Sequence, residues 1–168
     1  MKEKRIFRYV LTDAWENMIS QVDVIETPKG GTVRCLHYNK KEYLTYEDNT
    51  KADFFATPIS YEDISKIKKI MYEHKDIFSF KEVEFPTILD GVINTFEFAP
   101  DKNLANVINA FNIWAIKEEA DVGFYETLNS PYKGLIVPHK GKEIIIVYNE
   151  ISKILLDNRV NEMYLKLH

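Results

Sequence analysis

The sequence predicts one α+β domain: an antiparallel sheet, built from an N-terminal meander and a second strand cluster, packed with about three helices. Three observations carry this. Short runs rich in β-branched and aromatic residues recur about every ten residues over the first 57 positions. Two longer stretches instead repeat apolar residues at intervals of three and four. Strands and helices come in separate runs, without the regular alternation that builds a doubly wound parallel sheet. At 168 residues the chain is about one domain long and buries enough surface for one core.

The elements follow in order. Ile6–Leu11 and Met18–Glu26 read as strands, the second ending at the turn Thr27-Pro28-Lys29-Gly30-Gly31. Thr32–Tyr38 alternates, with Val33, Cys35 and His37 on one face and Arg34, Leu36 and Tyr38 on the other. Glu42–Glu47 and Lys51–Thr57 complete the meander. Ser60, with an acid three positions on at Asp63, opens a helix: a side-chain acceptor meets the orphan N–H groups, and acids sit at the positive dipole end. Its stripe is Ile64, Ile67, Ile70, Met71 and His74, and it should end near Lys75-Asp76. Val83–Phe85 is a strand stopped by Pro86, and Thr87–Leu89 runs into the tight turn Asp90-Gly91. Val92–Phe98 alternates, placing Val92, Asn94, Phe96 and Phe98 together, and Pro100-Asp101-Lys102-Asn103 turns the chain. Leu104–Asn112 fits strand or helix, and the preceding hairpin favours strand. Ile113, Ile116, Ala120, Phe124 and Leu128 mark a helix ended by Asn129-Ser130-Pro131. Gly134–Val137 is a short strand. Glu143–Asp157 is a helix with Ile144, Val147, Tyr148, Ile151, Ile154 and Leu155 inward. Val160–His168 fits either type of element.

Composition bounds the function classes. The net charge is -4, with 14 basic and 15 acidic residues in 1–84 and 8 and 11 in 85–168. Neither half is basic, so neither nucleic acid nor a membrane surface is an expected partner. Lys66, Lys68, Lys69 and Lys75 share one helix with Glu62, Asp63 and Glu73, which reads as a solvated mixed-charge face. The single cysteine, Cys35, excludes an intrachain disulfide and fits a reducing compartment. The apolar run Ile6–Leu11 is short and broken by Arg8, so it does not form a signal-peptide core. No stretch reaches the about 20 apolar residues of a membrane span. Cytoplasmic placement is the expectation.

A helix, then Phe78 and Phe80, Leu89-Asp90-Gly91, the alternating Asn94-Thr95-Phe96-Glu97-Phe98 and Phe111-Asn112 resembles a pattern recurring in small bacterial domains without an assigned function. The resemblance spans residues 60–114 and departs where a Gly-Asn pair is more usual, since this chain has Phe111-Asn112. It implies no activity and transfers no functional residue.

Chemistry-bearing groups are sparse. Cys35 and His37 share a strand face, as two metal ligands or a nucleophile and base would, but His74, His139 and His168 supply no spaced third ligand. A buried thiol beside a hydrogen-bonded histidine is the favoured reading. Asp90-Gly91 is explained by turn chemistry. Glu118, Glu119 and Asp121, with Glu126 beyond, read as a solvated helix surface, since Glu119 points away from the other two. Pro138-His139-Lys140-Gly141 precedes the last helix, where an anion can bind, but lacks the glycines and Lys-Ser/Thr ending of a phosphate loop. The one compositional excess is aromatic: ten Tyr, ten Phe and two Trp. Trp15, Tyr38, Tyr43, Tyr46, Phe54 and Phe55 lie on or beside strands with apolar groups on both faces. Either helices cover one face and absorb the rings, or the rings form a contact surface. The leading expectation is a non-enzymatic binding or protein-interaction domain, self-association included, with Tyr38, Tyr43, Tyr46, Cys35 and His37 as binding residues and no catalytic residue, metal or cofactor. The alternative is an enzyme or binding protein for a small molecule, with a pocket near Cys35 and His37.

Overall fold

A computed structural model describes residues 3–13, 18–39, 51–80, 82–83, 92–111 and 139–167. The strands are β1 (Lys4–Thr12), β2 (Met18–Thr27), β3 (Gly30–Asn39), β4 (Lys51–Ile59), β5 (Glu82–Val83), β6 (Ile93–Asp101) and β7 (Leu104–Phe111). The helices are α1 (Tyr61–Glu73) and α2 (His139–Asp157), with 3-10 turns at Lys75–Phe78 and Glu162–Tyr164. All strands share one sheet in the order β4-β3-β2-β1-β6-β7-β5. Six are antiparallel to their neighbours, and the two-residue β5 runs parallel to β7. The α+β class and the antiparallel sheet stand as expected.

Several boundaries differ from expectation. The meander and the second cluster are continuous, because β1 pairs with β2 on one side and β6 on the other. The described residues hold two α-helices where about three were expected, and the helix expected from 113 to 128 lies outside them. So do the expected strands 42–47, 87–89 and 134–137 and the turn at Asp90-Gly91. α1 stops at Glu73, two or three residues early, and the next residues tighten into a 3-10 turn. β6 runs through Pro100 to Asp101, because a register shift between Phe98 and Asp101 takes the proline out of the regular ladder. α2 includes His139-Lys140-Gly141, expected ahead of the helix. The tail is neither strand nor long helix, but a 3-10 turn capped by Asn161.

Among the described residues, one face of the sheet is packed by helices and the other is open. Tyr9, Val22, Cys35, Phe96 and Ile108 form one buried row across the strands, and Phe7, Val24, Val33 and Phe98 another. α1 lies on this face through Ile64, Ile67 and Met71, and α2 through Ile144, Val147, Tyr148, Ile151 and Leu155. Ser60 caps α1 as the sequence requires, accepting from the Asp63 N–H at 3.0 Å. The helices run antiparallel and are pinned at both ends. His74, capping α1, pairs with Glu143 early in α2. Asn158, just past α2, donates to Asp63 at 3.1 Å. Their seat needs Gly31: a Cβ there would stand 2.6 Å from the Ile25 carbonyl oxygen and 2.8 Å from Ile64 Cδ1. The β2–β3 turn is Pro28-Lys29, and Gly30 follows at φ 136°, a conformation other residues rarely adopt.

Candidate functional site

The faces of β3 separate two groups of candidate residues. Cys35 and His37 point toward the helices, and Tyr38 lies on the open face with Leu36 and Arg34, as the alternation predicts. Tyr43 and Tyr46 lie outside the described residues, as do Trp15, Glu118, Glu119, Asp121, Glu126 and Pro138.

On the packed face Cys35 is 1% exposed. Burial, aided by the Asp23 carboxylate, pushes its thiol up to about 12. At neutral pH it carries no thiolate, the species that attacks electrophiles and binds metals. We therefore expect Cys35 to resist a maleimide in the folded protein at pH 7 and to react stoichiometrically in denaturant. Rapid labelling of the native chain would contradict this burial. His37 stands one register step along, opposite Asp53. Its Nδ1 is buried without a hydrogen-bond partner among the described residues. Its ring meets Tyr164 edge-on at 6.4 Å, and Phe55 stacks on the same tyrosine at 6.3 Å. The C-terminal segment thus covers this corner. Among the described residues no group of three or more His, Cys, Asp or Glu gathers to hold a metal ion.

The segment itself is held by two tyrosines from the core. Tyr148 donates to the Leu165 carbonyl at 2.6 Å. Tyr9 Oη lies 3.0 Å from the Lys166 carbonyl and 2.8 Å from Asn94 Oδ1, sharing its one proton between them. Beside these bonds a cleft of about 620 Å³ opens between α2 and the segment, lined in part by Asn149, Ser152, Asn161, Met163 and Lys166. Tyr148 is legible in the sequence as part of an apolar stripe, but nothing local there points to its distant carbonyl partner.

The open face is ionic at its centre and apolar at one margin. Arg34, Asp23, Arg8 and Glu97 form a row of alternating sign across β3, β2, β1 and β6. Arg8 grips Asp23 with two bonds, 2.6 and 2.8 Å long, and these bonds hold its guanidinium above the ordinary range. Gln21 adds a third bond to Asp23 at 2.9 Å. Arg5 donates to both oxygens of Glu97, at 3.0 and 2.8 Å. These charges are consumed within the sheet. So are those of two α1 lysines: Lys66 pairs with Glu62 and Asp63, and Lys68 reaches the buried Glu26 at 2.5 Å. Toward β4 the charge ends. Phe54 is opposite Leu36 and 64% exposed.

Compared with known protein families and with curated proteins, the chain matches none. No described helix is long and apolar enough to cross a membrane.

Much of the aromatic excess lies in the core. Phe7, Tyr9, Phe96, Phe98 and Tyr148 form one buried cluster, with centroids 4.9 Å apart for Tyr9–Tyr148 and 5.3 Å for Phe96–Tyr148. Phe54 is the strand aromatic left most open among the described residues. The sequence shows it among the rings of the meander but does not set it above Tyr38.

Proposed function

We propose that this chain is a non-enzymatic binding domain that takes an extended segment of a protein partner along β4, with Phe54 as the anchor. The observation that carries the reading is a large aromatic side chain, 64% exposed, on the strand that ends the sheet among the described residues. An end strand presents unpaired N–H and C=O groups that an incoming strand satisfies, while side-chain contacts select which strand is accepted. Leu36 supplies the apolar floor next to Phe54, and beyond it Arg34 is paired with Glu3 at 3.5 Å. The small-molecule alternative draws on the orphan His37 Nδ1, but its thiol neighbour is protonated and buried.

Panning a displayed library of twelve-residue peptides on the wild type and on Phe54→Ser tests the reading. The expected peptides alternate apolar and polar residues, bind the wild type at least tenfold better, and perturb the amides of β4 in NMR spectra. Recovery of no such peptide, or equal binding to Phe54→Ser, overturns it.

A further inference from the structure

We infer that β4 pairs antiparallel with β4 of a second copy of this chain, in the register that sets Phe54 opposite Phe54 across a two-fold axis. This rests on the binding reading above and names its partner.

The parity of the backbone settles which groups of β4 face outward. The β2–β3 hairpin closes through a two-residue turn on the pair Thr27 and Gly30, so that pair exchanges its hydrogen bonds. Every second residue of β3 from Gly30, namely Thr32, Arg34, Leu36 and Tyr38, then bonds to β2. The residues between them, Gly31, Val33, Cys35 and His37, bond to β4. Their partners there are Ile59, Thr57, Phe55 and Asp53. Ala52, Phe54, Ala56 and Pro58 are left pointing away from β3. Pro58 agrees independently: proline has no N–H and sits in a sheet where none is needed, on the free side of an edge strand.

Three N–H groups therefore face outward, those of Ala52, Phe54 and Ala56. A two-fold axis through the Phe54 pair lets all three donate, with Ala52 of each copy opposite Ala56 of the other. The side chains accept this register and resist the neighbouring ones. An axis at Asp53 would oppose two carboxylates. An axis at Phe55 would drive the Pro58 ring against the Ala52 carbonyl, and one at Ala56 would bring it against Phe54. With the axis at Phe54, Asp53 faces Phe55 of the other copy, so the two carboxylates do not meet. The two exposed Phe54 rings cover each other across the axis. The paired stretch is short and buries less than a standard interface, so the dimer is weak and concentration-dependent.

Sedimentation velocity on the full chain, from low micromolar to millimolar concentration, tests this. The wild type should pass from monomer to dimer. Ala56→Pro removes one outward N–H without touching the ladder to β3, and should remain monomeric with unchanged circular dichroism and melting temperature. Phe54→Ser should weaken dimerisation at least tenfold. At high concentration the amides of Ala52, Phe54 and Ala56 should gain protection from hydrogen exchange, while Asp53, Phe55 and Thr57 should not change. A wild type that stays monomeric at millimolar concentration, or a dimer that survives Ala56→Pro, overturns the inference. If either result comes with Phe54-dependent peptide binding, the binding reading stands with another partner. If peptide binding is also lost, both fall.

Discussion

Replacing Phe96 with alanine should lower the unfolding free energy by about 3–5 kcal/mol and the melting temperature by roughly 10 °C. Phe96 is fully buried at the middle of the sheet. Its ring lies 5.3 Å from both Tyr9 and Tyr148 and stacks parallel to Phe98 at 6.2 Å. Those neighbours come from β1, β6 and α2, so the void left by the ring cannot collapse without moving a strand or a helix. The cost is the lost transfer energy of the ring plus that of the cavity. Phe96→Leu keeps most of the volume and should cost about 1 kcal/mol. Urea unfolding of both variants, with unchanged slope, checks the ordering. An alanine variant less than 1 kcal/mol below the wild type would mean that this cluster is not the centre of the core.

The second large effect concerns the tyrosines that hold the C-terminal segment. Tyr148→Phe leaves the buried Leu165 carbonyl without its donor, and Tyr9→Phe removes a donor from the part-buried Lys166 carbonyl. Each should cost about 1–3 kcal/mol. The two hydroxyls act on successive carbonyls of one segment. The double variant should therefore cost less than the sum, because the first loss already loosens what the second bond restrains. The pH dependence follows from burial, which raises both phenols above their ordinary 10. The folded state then holds these protons more tightly than the unfolded chain. This contribution is constant below about pH 9 and is lost as pH climbs, because the unfolded tyrosines ionise first. Cys35 adds to the same alkaline limb, starting from its ordinary 9. Tyr9→Phe and Tyr148→Phe should each flatten the fall of the urea midpoint between roughly pH 9 and 11. An unchanged alkaline limb in both variants would show that the phenols ionise without unfolding.

How legible these features are in the sequence depends on how local their causes are. Ser60 and Asp63 form a cap within one turn, so the start of α1 is readable directly. The alternation of β3 assigns Cys35 and His37 to one face and Tyr38 to the other, because pleating is a property of the strand alone. Leu104–Phe111 is a strand, although its composition also suits a helix, because β6 offers it a ladder. The tail shows the opposite case. Met163, Leu165 and Leu167 suit a strand, yet the segment takes its shape from Tyr9 and Tyr148, the first of which lies 157 positions from its carbonyl partner.

The candidate surface follows the same division. Aromatic abundance is visible in the sequence, and so is the lack of a metal, nucleotide or nucleophile motif. Whether a given ring is core or contact is not, because burial is decided by what packs above it. Tyr9 and Phe96 are core because α2 lays Tyr148 over them. Phe54 differs little from them in its local sequence, but no described element packs above it.

By itself, then, the sequence determined the class of the domain, the Ser60 cap of α1 and the faces of the alternating strand residues. Each of these arises within a few residues, from backbone geometry and side-chain chemistry. Only the tertiary structure decided that β1 joins two strand clusters into one sheet, that Cys35 is buried, and that among the described residues β4 ends the sheet with Phe54 exposed. Those outcomes depend on contacts between residues far apart in the chain. Their free energy is shared over the whole fold, so no local pattern encodes them.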